Sequence, residues 1–166
     1  MILGLSVPAF TQLHVIISLI GIATGTVFVA GLVAGRWLDG WNLAFLVTTI
    51  LTSITGFFFP ITKIGPPHIV GAISLVVLAA ALFALYARSR SGAWRVVYIV
   101  TAVFALYLNA FVGVVQTFLK IGFFHSLAPT GSEPPFMVAQ ATVLILFIFL
   151  GWRAVRRPMP ASLRAV

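Results

Sequence analysis

From Phe10 to Ala34 the chain carries no Asp, Glu, Lys or Arg, and the same holds for Trp41–Phe59, Pro67–Ala87, Val96–Leu119 and Pro135–Trp152. A helix crossing a bilayer needs about 20 mostly apolar residues, and each run reaches or approaches that length. Backbone groups in lipid must be satisfied within their own segment, so these runs read as helices and not as isolated strands. The expectation is an all-α integral membrane bundle of five transmembrane helices, forming one domain over residues 1–153 with a short basic tail over 154–166. Composition points the same way. Only 7% of the residues are charged and 61% are hydrophobic, whereas a soluble domain carries about 25% charged residues. The amino-terminal stretch "MILGLSVPAFTQLHVI" lacks the basic region of a signal peptide, so the first run is expected to stay as a span.

The basic residues orient these spans. Arg36, Arg88, Arg90, Arg95, Arg153, Arg156, Arg157 and Arg164 fall on one side if the spans alternate, and Lys63 and Lys120 fall on the other. Basic residues concentrate on the cytoplasmic side, which predicts the N-terminus outside and the C-terminus cytoplasmic. Trp37, Trp41, Trp94 and Trp152 all lie at the same predicted border, where an indole keeps its body in lipid and its N–H near water. The stretch "LTSITGFFFPITKIGPPH" is then an outward-facing hairpin, with Pro60, Gly65, Pro66 and Pro67 supplying turn chemistry. The net charge of +8 is accounted for by span-flanking arginines. No basic groove with interleaved aromatics argues for nucleic acid.

Depth arithmetic at about 1.5 Å per residue places one hydrogen-bonding group from every span near the outer face. His14, Thr55, His68, Gln116 and Gln140 share that level, and Asn109 lies deeper. Spacings of three and four align Thr11, His14, Ser18, Gly21 and Gly25 on the first span, and Thr101, Ala105, Asn109, Gly113, Gln116 and Lys120 on the fourth. Thr48, Thr52 and Thr55 align on the second, with Ser53 and Gly56 close by. Such stripes of small and polar residues face other helices, so spans one, two and four are expected in mutual contact. Gly21 with Gly25, and Gly31 with Gly35, read as small-xxx-small pairs for close helix approach.

An ionisable side chain inside a span is a functional candidate, which gives His14 the most weight. His68 also reads as an interfacial residue, and His125 as a loop residue facing the outer compartment. Glu133 is expected to cap the fifth span, with a salt bridge to Lys63 or Lys120 as the alternative. The ligand-binding candidates are His14, His68, Asn109, Gln116, Gln140, Lys63 and Lys120. A quinone or lipid head group would suit an apolar pocket with these few polar groups. A b-type haem held by His14 and His68 is the redox alternative. Copper or zinc on His14, His68 and His125 is the weakest, because the spacing matches no metal motif. Absence of cysteine removes disulfides and thiolate chemistry. Asp39 and Glu133 are the only acids, and neither lies within a span, which counts against a cation-coupled transporter.

At "TTILTSITGFFFP", "RVVYIVTAVFALYLNAFVGVVQTFLK" and "APTGSEPPFMVAQ" the chain resembles a group of small bacterial inner-membrane proteins that carry no assigned activity. The resemblance runs across most of the chain and implies a bacterial inner-membrane location. It implies nothing about mechanism. The leading expectation is a non-enzymatic accessory or binding protein that holds a small amphipathic ligand, a partner subunit or a second copy of itself. The alternatives are a membrane cytochrome, and a channel or transporter subunit with a wet path from Thr101 past Asn109 to Gln116.

Overall fold

A computed structural model describes residues 1–60 and 65–158. Lys63 and Arg164 lie outside the described residues, as does the basic tail beyond residue 158. The described residues form six helices and no strand: α1 (Val7–Val33), α2 (Asp39–Gly56), α3 (Pro66–Leu82, continued by one π-helical stretch Phe83–Ala87), α4 (Ala93–Lys120), α5 (Gly122–Leu127) and α6 (Pro134–Arg156). Proline opens α1, α3 and α6 in the first turn, where its missing N–H costs no helical bond. Ser6 caps α1, its hydroxyl accepting from the Ala9 N–H at 3.3 Å.

Four helices are long and apolar enough to cross a membrane: Val7–Val33, Pro66–Ala87, Ala93–Lys120 and Pro134–Arg156. α2 is not one of the four on length and composition. Its 18 residues open on Asp39 and Asn42 and include Thr48, Thr49, Thr52, Ser53 and Thr55. The polar groups of its inner face are buried against the other helices: Thr49 is 0% exposed and Ser53 and Asn42 are nearly so. The short α5, in the stretch expected to be a loop, carries an exposed His125.

α1, α2 and α4 touch one another, as expected. The contact centres on two glycines of α1. A Cβ on Gly25 would lie 2.6 Å from Phe45 of α2 and 2.7 Å from Leu106 of α4, so only a residue without a side chain admits this approach. A Cβ on Gly21 would lie 3.3 Å from the Thr48 hydroxyl, 3.4 Å from that of Thr49 and 3.5 Å from Asn109 Nδ2. The second small pair does a different job. Gly31 faces Leu38 of the following turn, and Gly35 closes α1 with φ +74°, a left-handed conformation suited to glycine. α3 and α6 pack on α4. The core, with Phe28, Phe45, Leu78, Tyr98, Ala102 and Leu106 at its centre, runs between α1, α2, α3 and α4. In α6 only Ala154 is buried, which leaves a broad exposed apolar surface.

The helix ends sort into two groups. At one end Phe28, Trp37 and Tyr98 pack ring to ring, with Trp37 5.3 Å from both Phe28 and Tyr98. Arg95 donates to the carbonyls of Ala154 and Val155 at 3.3 and 3.1 Å and to that of Arg157. Arg157 donates to the Val33 carbonyl at 2.9 Å. These bonds satisfy carbonyls that a helix C-terminus leaves free. At the other end Phe10 meets Phe59, Phe57 meets His68, and Phe118 meets Phe124 and Phe136. The start of α1 and the end of α6 therefore lie at opposite ends of the bundle.

Candidate functional site

At the histidine end, His14 occupies the second turn of α1 and is half-buried. Its Nδ1 lies 2.8 Å from the Thr55 hydroxyl of α2, and its ring meets Phe59 edge-on at 5.3 Å. The Thr55 hydroxyl also lies 2.7 Å from the Leu51 carbonyl and 3.2 Å from that of Thr52. A hydroxyl has one hydrogen to give. With that hydrogen on a carbonyl, His14 donates through Nδ1, and with it on the imidazole, Nδ1 accepts. Nε2 bonds no described residue.

His68, Gln116, Gln140 and Lys120 also lie towards the histidine end, in different surroundings, and Asn109 lies deeper. His68 folds back on its own helix start, where Nδ1 accepts from the Gly65 N–H at 3.3 Å. Asn109 donates to the Thr49 hydroxyl at 3.2 Å and ties α4 to α2 in mid-bundle. Gln140 of α6 donates to the Phe111 carbonyl of α4 at 3.2 Å, while its Oε1 is buried without a partner among the described residues. Gln116 and Lys120 are exposed on the last turns of α4. The depth grouping thus resolves into separate helix-to-helix pairs: His14 with Thr55, Asn109 with Thr49, and Gln140 with Phe111. Thr101 bonds the Val97 carbonyl of its own helix at 2.7 Å.

Two expectations need correction. The described residues hold no group of three or more His, Asp or Glu side chains placed to hold a metal ion, so His14, His68 and His125 do not form the copper or zinc site considered from sequence. They stand on three different helices, and His125 is on the exposed α5. Glu133 occupies the N-cap position of α6 but makes no side-chain cap bond. Its carboxylate turns back to the preceding loop and accepts from the Thr130 N–H at 3.0 Å, the Thr130 hydroxyl at 2.9 Å and the Ser132 N–H at 3.0 Å. These donors, the Thr130 backbone foremost, hold the Glu133 carboxyl well below its ordinary value, down to about 2.

A second group of polar residues, at the arginine end, was not singled out by sequence reasoning. Tyr98 is 0% exposed and donates to Asn42 Oδ1, which is itself buried. Trp37 Nε1 donates to Asp39 at 2.7 Å, and Arg90 lies over the Trp37 ring at 4.3 Å. A cleft of about 380 Å³ opens beside them, lined by Asp39, Gly40, Asn42, Leu43, Leu85, Tyr86 and Arg90. The signal in the sequence was the coincidence of Asn42, Asp39 and Arg90 with the tryptophan border.

No family model, curated protein or solved structure matches this chain.

Proposed function

We propose that this chain is a multi-pass protein of a bacterial inner membrane that crosses the bilayer five times. The amino end is outside, the carboxyl end is cytoplasmic, and α2 is the fifth span. At about 1.5 Å per residue, α2 is close to 27 Å long, near the bilayer's hydrocarbon thickness of about 30 Å. Its polar side chains face α1 and α4, which supports a buried span over a surface helix.

In this reading the protein is a non-enzymatic accessory or binding subunit, and its ligand docks at the histidine end. The observation that carries it is the His14–Thr55 bond, which holds the ring through Nδ1 and leaves Nε2 without a partner among the described residues. The matching ligand is amphipathic and offers a hydroxyl, as a quinol or a hydroxylated lipid head group does. Gln116 and Lys120 supply donors at the same level, and Lys63 adds the second cation expected on that side. Mass spectrometry of small molecules retained after gentle purification tests this. The reading expects a hydroxyl-bearing lipid or quinol that is lost in His14→Ala. An absorption spectrum with a haem Soret band that disappears in His14→Ala would replace it with the cytochrome reading.

A further inference from the structure

We propose that the cleft at the arginine end is a binding site for a phospholipid head group that carries both a phosphate and an amine. The cleft lies between the start of α2 and the end of α3, and charges of both signs line it. Asp39 and Arg90 both line it, and both contact Trp37. Among the described residues these two form no ion pair with each other. Asp39 accepts from Trp37 through one oxygen, and the second oxygen is free to take an ammonium group. The Arg90 guanidinium stacks on Trp37 and makes no hydrogen bond to a described residue, with Nε enclosed. Its remaining donors suit a phosphate, which guanidinium groups bind through paired N–H bonds.

Two further features favour an anion beside Arg90. α2 begins at Asp39 with no side-chain cap, so its first N–H groups are free and the helix dipole places positive charge there. Asn42 spends its Oδ1 on Tyr98, which leaves its amide N–H groups as donors on the cleft wall. Ser89 and Arg90 hold left-handed backbone, φ 47° and 56°, directly after the π-helical stretch of α3. Non-glycine residues held this way cluster at binding sites, and π-helical stretches are frequently found at functional sites. The volume falls in the range of about 300–1,000 Å³ typical of small-ligand sites. Leu43 and Leu85 line the same cleft and offer apolar surface to the glycerol and first acyl carbons. A soluble phosphate would leave both leucines and Asp39 without a role, so the geometry commits to a zwitterionic lipid.

This inference rests on the membrane-spanning reading and is independent of the histidine-end ligand. The test is native mass spectrometry of the full chain reconstituted with equal amounts of phosphatidylethanolamine, phosphatidylglycerol and phosphatidylcholine. One phosphatidylethanolamine is expected to be retained in preference to the other two. Arg90→Gln is expected to lower that retention about tenfold, equivalent to about 1.4 kcal/mol. Asp39→Asn is expected to abolish the preference over phosphatidylglycerol, and it still offers Trp37 an acceptor, so its result stands even where Arg90→Gln unfolds. Equal retention of the three lipids, a preference that survives Asp39→Asn, or displacement of the lipid by millimolar inorganic phosphate would overturn the proposal.

Discussion

Arg90 holds its guanidinium 4.3 Å from the ring centre of Trp37, and so pins the α3–α4 turn against the α1–α2 turn. A cation over an indole is worth about 0.5–2 kcal/mol, more when shielded from water. The contact matters for topology because it puts the ends of two helical hairpins on one side of the bundle. From the α1–α2 turn, α2 runs back along α1 as far as the His14–Thr55 bond.

The tightest helix contact predicts the most damaging small substitution. In Gly25→Ala the new methyl would meet Phe45 and Leu106 at 2.6 and 2.7 Å. Overpacking of this kind costs about 1–3 kcal/mol, more than the roughly 1 kcal/mol that alanine returns in helix propensity. Thermal unfolding in detergent should show a clear loss for Gly25→Ala. Gly21→Ala, whose nearest contacts are 3.3 Å and beyond, should stay close to wild type.

Asn109 and Thr49 should couple weakly. Polar bonds between membrane helices average about 0.6 kcal/mol and reach about 1.7. A double-mutant cycle of Asn109→Leu and Thr49→Val, read by denaturant unfolding in micelles, should return a coupling within that range. A value indistinguishable from zero would mean the 3.2 Å contact does not hold α4 to α2.

Tyr98→Phe removes the donor that Asn42 Oδ1 accepts from and leaves that oxygen buried. An orphaned buried polar group costs about 1–3 kcal/mol. Tyr98→Phe should therefore lower the melting temperature, and Tyr98→Phe with Asn42→Leu should recover part of the loss. Equal stability of the wild type and the single variant would show that Asn42 finds another donor.

The Glu133 loop should titrate at unusually low pH. Its folded carboxyl is held at about 2 against an ordinary 4.5, because N–H and O–H donors stabilise the charged form. A lowered value means that the stabilisation is complete above the ordinary value and fades as pH falls from about 4.5 towards 2. Amide proton shifts of Thr130 and Ser132 should hold steady down to about pH 4 and move below it. In Glu133→Gln that transition should vanish.

The helical runs were legible because uncharged stretches of this length leave the backbone no other way to pair in lipid. The proline start of α3 and the glycine contact of α1 with α2 and α4 followed from residue type and from residue spacing. Position along each helix was also legible, since rise per residue is fixed. Direction around each helix was not. His14, Gln116 and Gln140 share a level, yet Gln116 faces outward while Gln140 turns to the Phe111 carbonyl. α5 escaped because six residues carry too little periodicity, and Glu133 escaped because a cap and a loop staple look alike in sequence. The arginine-end cleft was hidden for a different reason. Its one arginine, Arg90, reads as a topology marker, and nothing local tells a charge that marks a border from one that also lines a cavity.

The absence of native cysteine makes the central claim directly testable, because any introduced cysteine is the only thiol. Single variants Arg36→Cys, Ser91→Cys and Ser132→Cys place that thiol in the α1–α2 turn, the α3–α4 turn and the loop before α6. With a membrane-impermeant maleimide, Ser132→Cys should label in intact cells stripped of their outer barrier, and Arg36→Cys and Ser91→Cys only after lysis. Arg36→Cys and Ser91→Cys labelling from opposite sides would mean that α2 does not cross, and would contradict the five-span account.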